Sequence, residues 1–285
     1  MKVKIFIPYH RQTPLLKEDC FHPIHVGRSL AVQESKDGQM NQSGFQWLMN
    51  NMVGDDSGKN ISSLNREFCE NTALYWAWKN ALSEDITHIG FMQYRRHFIF
   101  NDLFDKSISD LEKEAYGCIH FRDLLDNHNQ KIDLTESSIK DLLDDYDVVL
   151  PMPGNLEAIG MKSLWDDYVS RISGSHIDDL IELLNVVSEY NSDLGFKLER
   201  YLDGKIKLMY QMIILSKIEY QKYCEFLFPL LFEVNKRLDV SMYSMNGKRT
   251  IGYLSEFLYG LYFMDILRER KLKIIHKGIV FLDEV

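Results

Sequence analysis

Short apolar runs of β-forming residues alternate along this chain with longer stretches of helical pattern, and this alternation constrains the fold most. Strands are predicted at residues 3–8, 87–92, 147–152 and 206–215, with a last one within residues 271–283. Helices are predicted at residues 62–82, 138–143, within 161–201, at 217–238 with a kink near Pro229, and at 249–270. Such alternation indicates an α/β fold with a mostly parallel central sheet flanked by helices. No repeat or linker interrupts the pattern, which favours one domain over residues 1–285.

Polar side chains follow two of the predicted strands, at the edge where open α/β sheets bind ligands. The first strand ends at Tyr9, His10 and Arg11, and the second ends at Gln93 to Arg96. An irregular segment from about residue 12 to residue 60 ends in the polar, glycine-containing loop GDDSGKNIS. Long loops in compact domains are commonly functional, but this one lacks the spacing of a P-loop. It is either a ligand-binding loop or a turn that caps the next helix.

Arg95 and Arg96 lie beside a core strand, where an unpaired guanidinium is costly. Their partner is either an internal carboxylate or a bound phosphate, and the position after the strand favours phosphate. If the strand continues through both residues, their side chains point to opposite faces. We therefore predict that one of them, Arg95 in first place, faces the ligand and that Arg96 is structural.

Composition excludes several classes of protein. The formal net charge of -9 argues against nucleic-acid binding, which needs clustered Lys and Arg. The four cysteines are far apart and form no CxxC pair, so a reduced, cytoplasmic protein is predicted. No segment approaches the roughly 18 apolar residues of a membrane span. Any contact with the membrane is therefore predicted to be peripheral, at the inner face of the cytoplasmic membrane.

Several carboxylates and histidines are candidates for acid-base or metal chemistry. Glu256, set among apolar residues, and His176 are candidate general bases. Asp145 and Asp147 form a literal Asp-x-Asp, but they precede their strand instead of ending it, which is the wrong end for a ligand site. His22 and His25 have no further ligand nearby, so no metal site is predicted there.

Several segments together resemble a bacterial family first catalogued as domain of unknown function 4422 and associated with capsule and lipopolysaccharide glycosyltransferases. The matching segments are the opening strand ending in His10, GDDSGKNIS, ENTALYWAWKN, IGFMQYRRHF, VVLPMP, SGSHIDDL and RTIGYLSEFL. The resemblance implies a GT-A-like fold that transfers a sugar from a nucleotide donor to a growing surface glycan. It draws attention to His10, Asp55, Asp56, Asn60, Glu70, Tyr94, Arg95, Arg96, His176 and Glu256 without assigning their roles.

This sequence departs from the family at two places. The family's strand commonly reads His-Tyr-Arg-Arg, whereas Gln93 takes the histidine position here. Lys59 replaces a residue of the glycine loop that is often acidic. Glutamine forms hydrogen bonds but carries no charge, so a charged role at position 93 is not expected.

The prediction is a nucleotide-sugar glycosyltransferase of O-antigen or capsule synthesis, with a nucleotide-binding part at about 1–150 and an acceptor part at about 151–285. Its predicted partners are a nucleotide-diphosphate sugar and a glycan or lipid-linked glycan acceptor. GT-A enzymes place Asp-x-Asp after the middle strand to hold a divalent metal, and Gln93 and Arg95 stand at that spacing here. No cofactor is expected to be required, since arginine can meet the diphosphate, although a divalent metal is left open.

The predicted donor-binding residues are His10, Asp55, Asp56, Asn60, Gln93, Tyr94, Arg95 and Arg96, and the predicted catalytic residues are Glu256 and His176. The main alternative is a non-catalytic glycan-binding or assembly subunit with the same fold. A third reading is a metal-dependent phosphodiesterase that uses Asp145 and Asp147.

Overall fold

The computed structural model describes residues 1–35, 38–101, 118–124 and 128–284. Its strands are β1 (Val3–Tyr9), β2 (Phe21–His25), β3 (Val53–Gly54), β4 (His88–Phe91), β5 (Arg96–Phe98), β6 (Cys118–Phe121), β7 (Val148–Pro151), β8 (Gly154–Asn155), β9 (Ile206–Lys207), β10 (Ile213–Ser216), β11 (Ile274–Lys277) and β12 (Ile279–Leu282). Its α-helices are α1 (Gln42–Asn51), α2 (Asn65–Phe68), α3 (Asn71–Asn80), α4 (His128–Lys131), α5 (Glu136–Asp145), α6 (Leu164–Arg171), α7 (Ile177–Tyr190), α8 (Ser192–Leu202), α9 (Lys217–Arg237) and α10 (Thr250–Leu261).

Seven strands form the central sheet, in the order β11–β7–β10–β4–β1–β2–β3. All neighbouring strands in it are parallel except β10, which is antiparallel to both β4 and β7. The predicted α/β fold with a mostly parallel sheet is therefore confirmed. The carboxyl ends of β1, β2 and β4 and the amino end of β10 consequently meet at one edge.

Helices cover both faces of this sheet, and the strand residues alternate between the two cores. Ile213 and Leu215 of β10 pack with the helices α3 and α6 to α10, whereas Ile214 faces the opposite core. That second core contains α1, α5 and the small sheet β5–β12–β6. The period of two is what a strand buried on both faces requires.

Three sequence predictions about elements were incomplete. The predicted strand 206–215 is divided, because Tyr210 and Gln211 have φ angles of 73° and 49° and turn the chain between β9 and β10. The predicted helix 62–82 is likewise broken at Cys69, whose φ is 51°. The last apolar segment forms two strands in different sheets, β11 and β12.

The segment predicted to be irregular, residues 12–60, contains β2, α1 and β3. The sequence FHPIH of β2 carries two histidines and a proline, which conceal its strand pattern. Helix α9, by contrast, runs through Pro229 as one element. Among the described residues, no helix is both long enough and apolar enough to cross a membrane.

Candidate functional site

A cleft of about 990 Å³ opens at the sheet edge where β1, β2 and β4 end and β10 begins. Predicted residues that line it are His10, Gln93, Tyr94, Arg95, Arg96 and Glu256. Glu70, to which the family resemblance also draws attention, lines the cleft as well. Lining residues that the sequence did not single out include Asp167, Lys207, Tyr210, Arg249 and Tyr253. The position agrees with the rule that open α/β sheets bind ligands beyond their strand ends.

Gln93 to Arg96 form a tight turn between β4 and β5. The Arg96 amide donates to the Gln93 carbonyl oxygen at 3.0 Å, and the Gln93 amide donates back to the Arg96 carbonyl oxygen at 3.2 Å. The condition for opposite-facing arginines, a strand that continues through both, is therefore not met. The two side chains differ because the turn sends them to different neighbours.

Arg95 contacts β12 and the residue that follows it. Its Nε lies 2.9 Å from the carbonyl oxygen of Leu282, its Nη2 lies 3.1 Å from that of Asp283, and its guanidinium carbon lies 4.5 Å from the centre of the Phe281 ring. Charged donors held by two carbonyl oxygens are less available to a ligand. These contacts disfavour the prediction that Arg95 is the first of the two arginines to meet a phosphate.

Arg96 lies between two aromatic rings, with its guanidinium carbon 4.7 Å from the ring centres of both Tyr210 and Phe281. Its Nη1 donates to Oε1 of Gln93, while its buried Nε has no hydrogen-bond partner among the described residues. Neither Arg95 nor Arg96 forms a salt bridge with a carboxylate in the described part of the chain. The internal ion pair considered for these arginines is thus not found there.

Gln93 braces the turn instead of standing free in the cleft. Its Nε2 donates to the Tyr210 carbonyl oxygen at 2.8 Å and lies 3.4 Å from Oε1 of Glu70. Its Oε1 accepts from Arg96. One amide therefore fixes the orientation of both a cation and a carboxylate of the cleft, which is a role that needs no charge on residue 93.

Glu70 precedes α3 and lies deep in the cleft. Burial raises the pKa of its carboxyl group above the ordinary value, and the neighbouring charge of Glu256 raises it further. Arg249 and Arg96 oppose this rise by favouring the carboxylate. Glu70 is therefore a second acidic candidate in the site, and its desolvated position is typical of acid-base residues.

Glu256 belongs to a charged network that the sequence did not reveal. Its Oε2 lies 3.5 Å from Nζ of Lys207, and the same Nζ lies 2.8 Å from Oδ2 of Asp167. The side chain of Glu256 is 22% exposed, whereas those of Lys207 and Asp167 are only 5% and 3% exposed. Arg249, at the start of the same helix, forms no ion pair with Glu256 among the described residues. Glu256 is thus partly exposed to the cleft, whereas its counter-ion Lys207 and the second carboxylate, Asp167, are buried.

Asp55 does not line the cleft. Its carboxylate accepts hydrogen bonds from the amides of Gly27 and Arg28 at 2.8 and 3.1 Å, and from the hydroxyls of Ser62 and Thr72. The side chain is fully buried. The prediction that Asp55 contacts the donor is disfavoured, because all of these acceptor sites are occupied by the chain itself.

The rest of the predicted glycine loop also lies outside the cleft. The Nδ2 atom of Asn60 donates to the carbonyl oxygens of Asp56 and Gly58, and its Oδ1 accepts from the Ser62 amide. Asp56 and Asn60 are both exposed, and neither lines the cleft. The alternative reading, a structural turn before the next helix, describes this loop better.

Of the two predicted histidines, His10 lines the cleft and His176 does not. His176 precedes α7, packs on Tyr243 with ring centres 4.6 Å apart, and does not line the cleft. Its predicted catalytic role is not supported by this position. His10 does line the cleft, with its ring edge-on to that of Tyr94 at 5.0 Å.

Two of the candidate metal residues, Asp147 and His25, contact other groups of the protein. Asp147 accepts from the Lys273 amide at 2.8 Å at the amino end of β7, away from the cleft edge. His25 is buried and its Nδ1 lies 3.1 Å from Nε of Arg28. Across the described residues, no group of three or more His, Cys, Asp or Glu side chains is placed to hold a metal ion.

The chain is therefore an α/β protein with a cleft at the strand ends that arginines and carboxylates line. The chain belongs to the family described as Domain of unknown function (DUF4422), whose model matches residues 4–267. The predicted family is therefore confirmed. The comparison with curated proteins gave no match.

Among solved structures, the chain is similar to the apo structure of WbbM, a bifunctional glycosyltransferase. The TM-score is 0.83 at 25% sequence identity, and the match covers 100% of this chain and 46% of that chain. This chain thus spans about half the length of WbbM. The similarity confirms the predicted glycosyltransferase-like fold.

Proposed function

We propose that this protein is a glycosyltransferase that moves a sugar from a nucleotide-sugar donor to a glycan or lipid-linked glycan acceptor. The observation that carries the proposal is Arg96, which lies between two aromatic rings in the cleft, with two carboxylates, those of Glu70 and Glu256, lining the same cleft. A permanent cation beside candidate bases suits the transfer of a sugar from a diphosphate. The similarity to a glycosyltransferase structure supports the same class.

Arg96 is proposed to bind the diphosphate of the donor, in preference to Arg95. Its fixed fork matches phosphate oxygens, and Gln93 and the two rings limit the freedom it loses on binding. His10 and Tyr94, at the same sheet edge, are proposed to contact the nucleotide. We propose that the guanidinium of Arg96 neutralises the leaving group and that no metal ion is required.

Glu256 is proposed as the general base. The acceptor hydroxyl transfers its proton to the Glu256 carboxylate, its oxygen forms a bond with the anomeric carbon, and the bond from that carbon to the diphosphate oxygen breaks. The nucleoside diphosphate leaves with the electron pair of the broken bond. A carboxylate within reach of the acceptor hydroxyl contributes about 10²- to 10⁴-fold to such a step.

The biological setting proposed is O-antigen or capsule synthesis at the inner face of the cytoplasmic membrane. This follows the association of the resembling family with surface glycans. The acceptor is then a growing glycan carried on a lipid, and it would enter the half of the cleft formed by Lys207, Tyr253 and Glu256.

The proposal is tested by measuring nucleoside diphosphate release from a panel of UDP-, GDP- and dTDP-sugars, with and without EDTA. Turnover of one donor that persists in EDTA is expected. Activity that vanishes in EDTA and returns with manganese would contradict the metal-independent part. A protein whose melting temperature responds to no nucleoside diphosphate would favour the alternative, a non-catalytic glycan-binding or assembly subunit, since a ligand of the native state must raise that temperature.

A further inference from the structure

Arg249 directly precedes α10 and lines the cleft together with Gly252, Tyr253 and Glu256 of that helix. Residues three and four positions apart lie on the same face of a helix, so these residues form one stripe along the cleft. The seven positions from Arg249 to Glu256 correspond to about two turns and about 10 Å along the helix axis. One helix thus brings a guanidinium group and the proposed base to the same cleft.

The guanidinium group of Arg249 is half-buried and oriented by its neighbours. Its Nε lies 3.3 Å from Sγ of Cys69, its Nη1 lies 3.2 Å from the hydroxyl oxygen of Tyr253, and its carbon lies 5.2 Å from the centre of the Tyr253 ring. In the described part of the chain, Arg249 forms no salt bridge with a carboxylate. An oriented cation without an ion-pair partner is suited to an anionic ligand.

The cleft is richer in cations than the protein as a whole, whose formal net charge is -9. Among the described residues, the lysine and arginine side chains that line the cleft outnumber the carboxylates. The cations are Arg11, Arg66, Arg95, Arg96, Lys207 and Arg249, and the carboxylates are Glu70, Asp167 and Glu256. A cleft lined by an excess of one charge raises the local concentration of ligands of the opposite charge. The anion that the proposed reaction brings to this cleft is the diphosphate of the donor.

We infer that Arg249 binds the β-phosphate of the nucleotide-sugar donor, the phosphate bonded to the sugar, as a second cation beside Arg96; this inference rests on the proposed function. In that function Glu256 takes the proton of the hydroxyl that attacks the anomeric carbon, and the β-phosphate oxygen leaves from the same carbon. The β-phosphate is therefore the phosphate nearest to Glu256, and Arg249 is on the same stripe of α10. Two guanidinium groups supply the charge that a divalent cation would bring to the leaving group.

The experiment titrates wild type and Arg249→Met by calorimetry with UDP, GDP and dTDP, and then with the monophosphate that matches the diphosphate bound by wild type. Loss of a hydrogen bond to a charged group is expected to weaken diphosphate binding by about 10-fold. The monophosphate lacks the β-phosphate, so its affinity is expected to stay at the wild-type value. Arg249→Lys keeps the charge but not the fork and is expected to lie between the two.

Lys248→Met is the matched control. Lys248 is the neighbouring cation, but it does not line the cleft, and its charge acts on Glu67. Its replacement removes the same charge from the chain and is expected to leave both nucleotide affinities unchanged. Melting curves accompany each variant, and Arg249→Lys carries the test if Arg249→Met does not fold.

A loss of diphosphate affinity alone, in the Arg249 variants and not in Lys248→Met, would support the inference. Wild-type diphosphate affinity in every Arg249 variant that folds would overturn it and leave the glycosyltransferase proposal in place. An equal loss for monophosphate and diphosphate would also overturn it, because the contact would then lie on the nucleoside or the α-phosphate. A wild-type protein that turns over no sugar donor would overturn the proposed function and, with it, the role of Arg249. Donor turnover by wild type therefore distinguishes the two failures.

Discussion

The Gly54–Asn60 loop and the Gln93–Arg96 turn look alike in sequence, but the structure uses them differently. Both are short polar segments that follow predicted or observed strands. The polar groups of the loop bind the chain itself, as the buried carboxylate of Asp55 does. The turn faces the cleft and presents Arg96 there. Polar composition near a strand end therefore indicates either a ligand contact or the support under one, and hydrogen-bond partners decide between them.

Asp55→Ala is expected to have the largest effect on stability. The buried carboxylate accepts from two amides and two hydroxyls, and its removal leaves these donors without partners. Each unsatisfied buried donor costs about 1–3 kcal/mol, so we expect a loss of about 3 kcal/mol or more in the free energy of unfolding. Urea titration measures it, with Asp56→Ala, an exposed neighbour, as the control expected within about 0.5 kcal/mol of wild type.

The comparison between the loop and the turn would break if Asp55→Ala kept its stability and lost nucleotide binding. In that case the carboxylate would contact the donor directly. If Asp55→Ala loses both stability and nucleotide binding, the binding measurement is repeated well below the melting temperature of the variant. Binding that returns there would show that the loss came from unfolding and not from a lost contact with the donor.

Arg96→Met is expected to have the largest effect on donor binding. Hydrogen bonds to charged groups contribute about 1.5–3 kcal/mol, which corresponds to a nucleoside diphosphate affinity weaker by about 10- to 150-fold. Methionine keeps much of the apolar contact with Tyr210 and Phe281. Arg95→Met is the matched variant, expected to lower the melting temperature through the freed carbonyl groups of Leu282 and Asp283 with a smaller change in affinity.

Isothermal titration with UDP, GDP and dTDP compares the two variants. The reverse order, with Arg95→Met losing the affinity, would restore the prediction made from the sequence. It would mean that a ligand displaces the carbonyl groups that hold Arg95.

The free energy of unfolding of the protein is expected to fall at acid pH because of His25. Burial lowers the pKa of this imidazole to about 3, with Arg28 and His10 adding to the effect. A folded-state pKa below the unfolded value of about 6.5 means that the unfolded chain binds the proton more tightly, so stability is complete above that value and declines as pH falls towards 3. The loss amounts to about 2 kcal/mol at pH 5 for this group.

Unfolding free energies of wild type and His25→Gln, measured at pH 7.5 and at pH 5, check this prediction. The variant is expected to lose about 2 kcal/mol less than wild type between the two pH values, whatever its stability at the higher one. Equal losses in both proteins would show that His25 is accessible to protons in the folded state.

The sequence predicts the sheet and the sheet edge at which the cleft opens, but it does not predict the network of charged side chains within the cleft. Apolar runs with alternating faces, such as Ile213 to Leu215, follow a local rule and are readable. The contacts of Lys207 with Asp167 and Glu256 join residues 40 and more positions apart in the chain, and no local pattern encodes them. The sequence likewise does not show that the carbonyl groups of Leu282 and Asp283 hold Arg95, because these residues lie almost two hundred positions away from it.

Gln93 and Asn60 give the smallest and most direct version of the comparison, because both side chains are amides engaged with the protein itself. The amide of Gln93 orients Arg96 and Glu70, so Gln93→Met is expected to lower kcat by about 10-fold, equivalent to about 1.4 kcal/mol, with little change in nucleotide affinity. The side chain of Asn60 forms its described hydrogen bonds with backbone groups of Asp56, Gly58 and Ser62. Asn60→Ala is therefore expected to cost about 1 kcal/mol of stability and to leave kcat unchanged.

Steady-state kinetics and urea titration of both variants make the test, and a kcat that falls in Asn60→Ala would place the loop among the groups that act on the donor. A nucleotide affinity that falls in Gln93→Met as far as in Arg96→Met would mean that the amide touches the donor, because loss of orientation alone leaves the charge of Arg96 in the cleft.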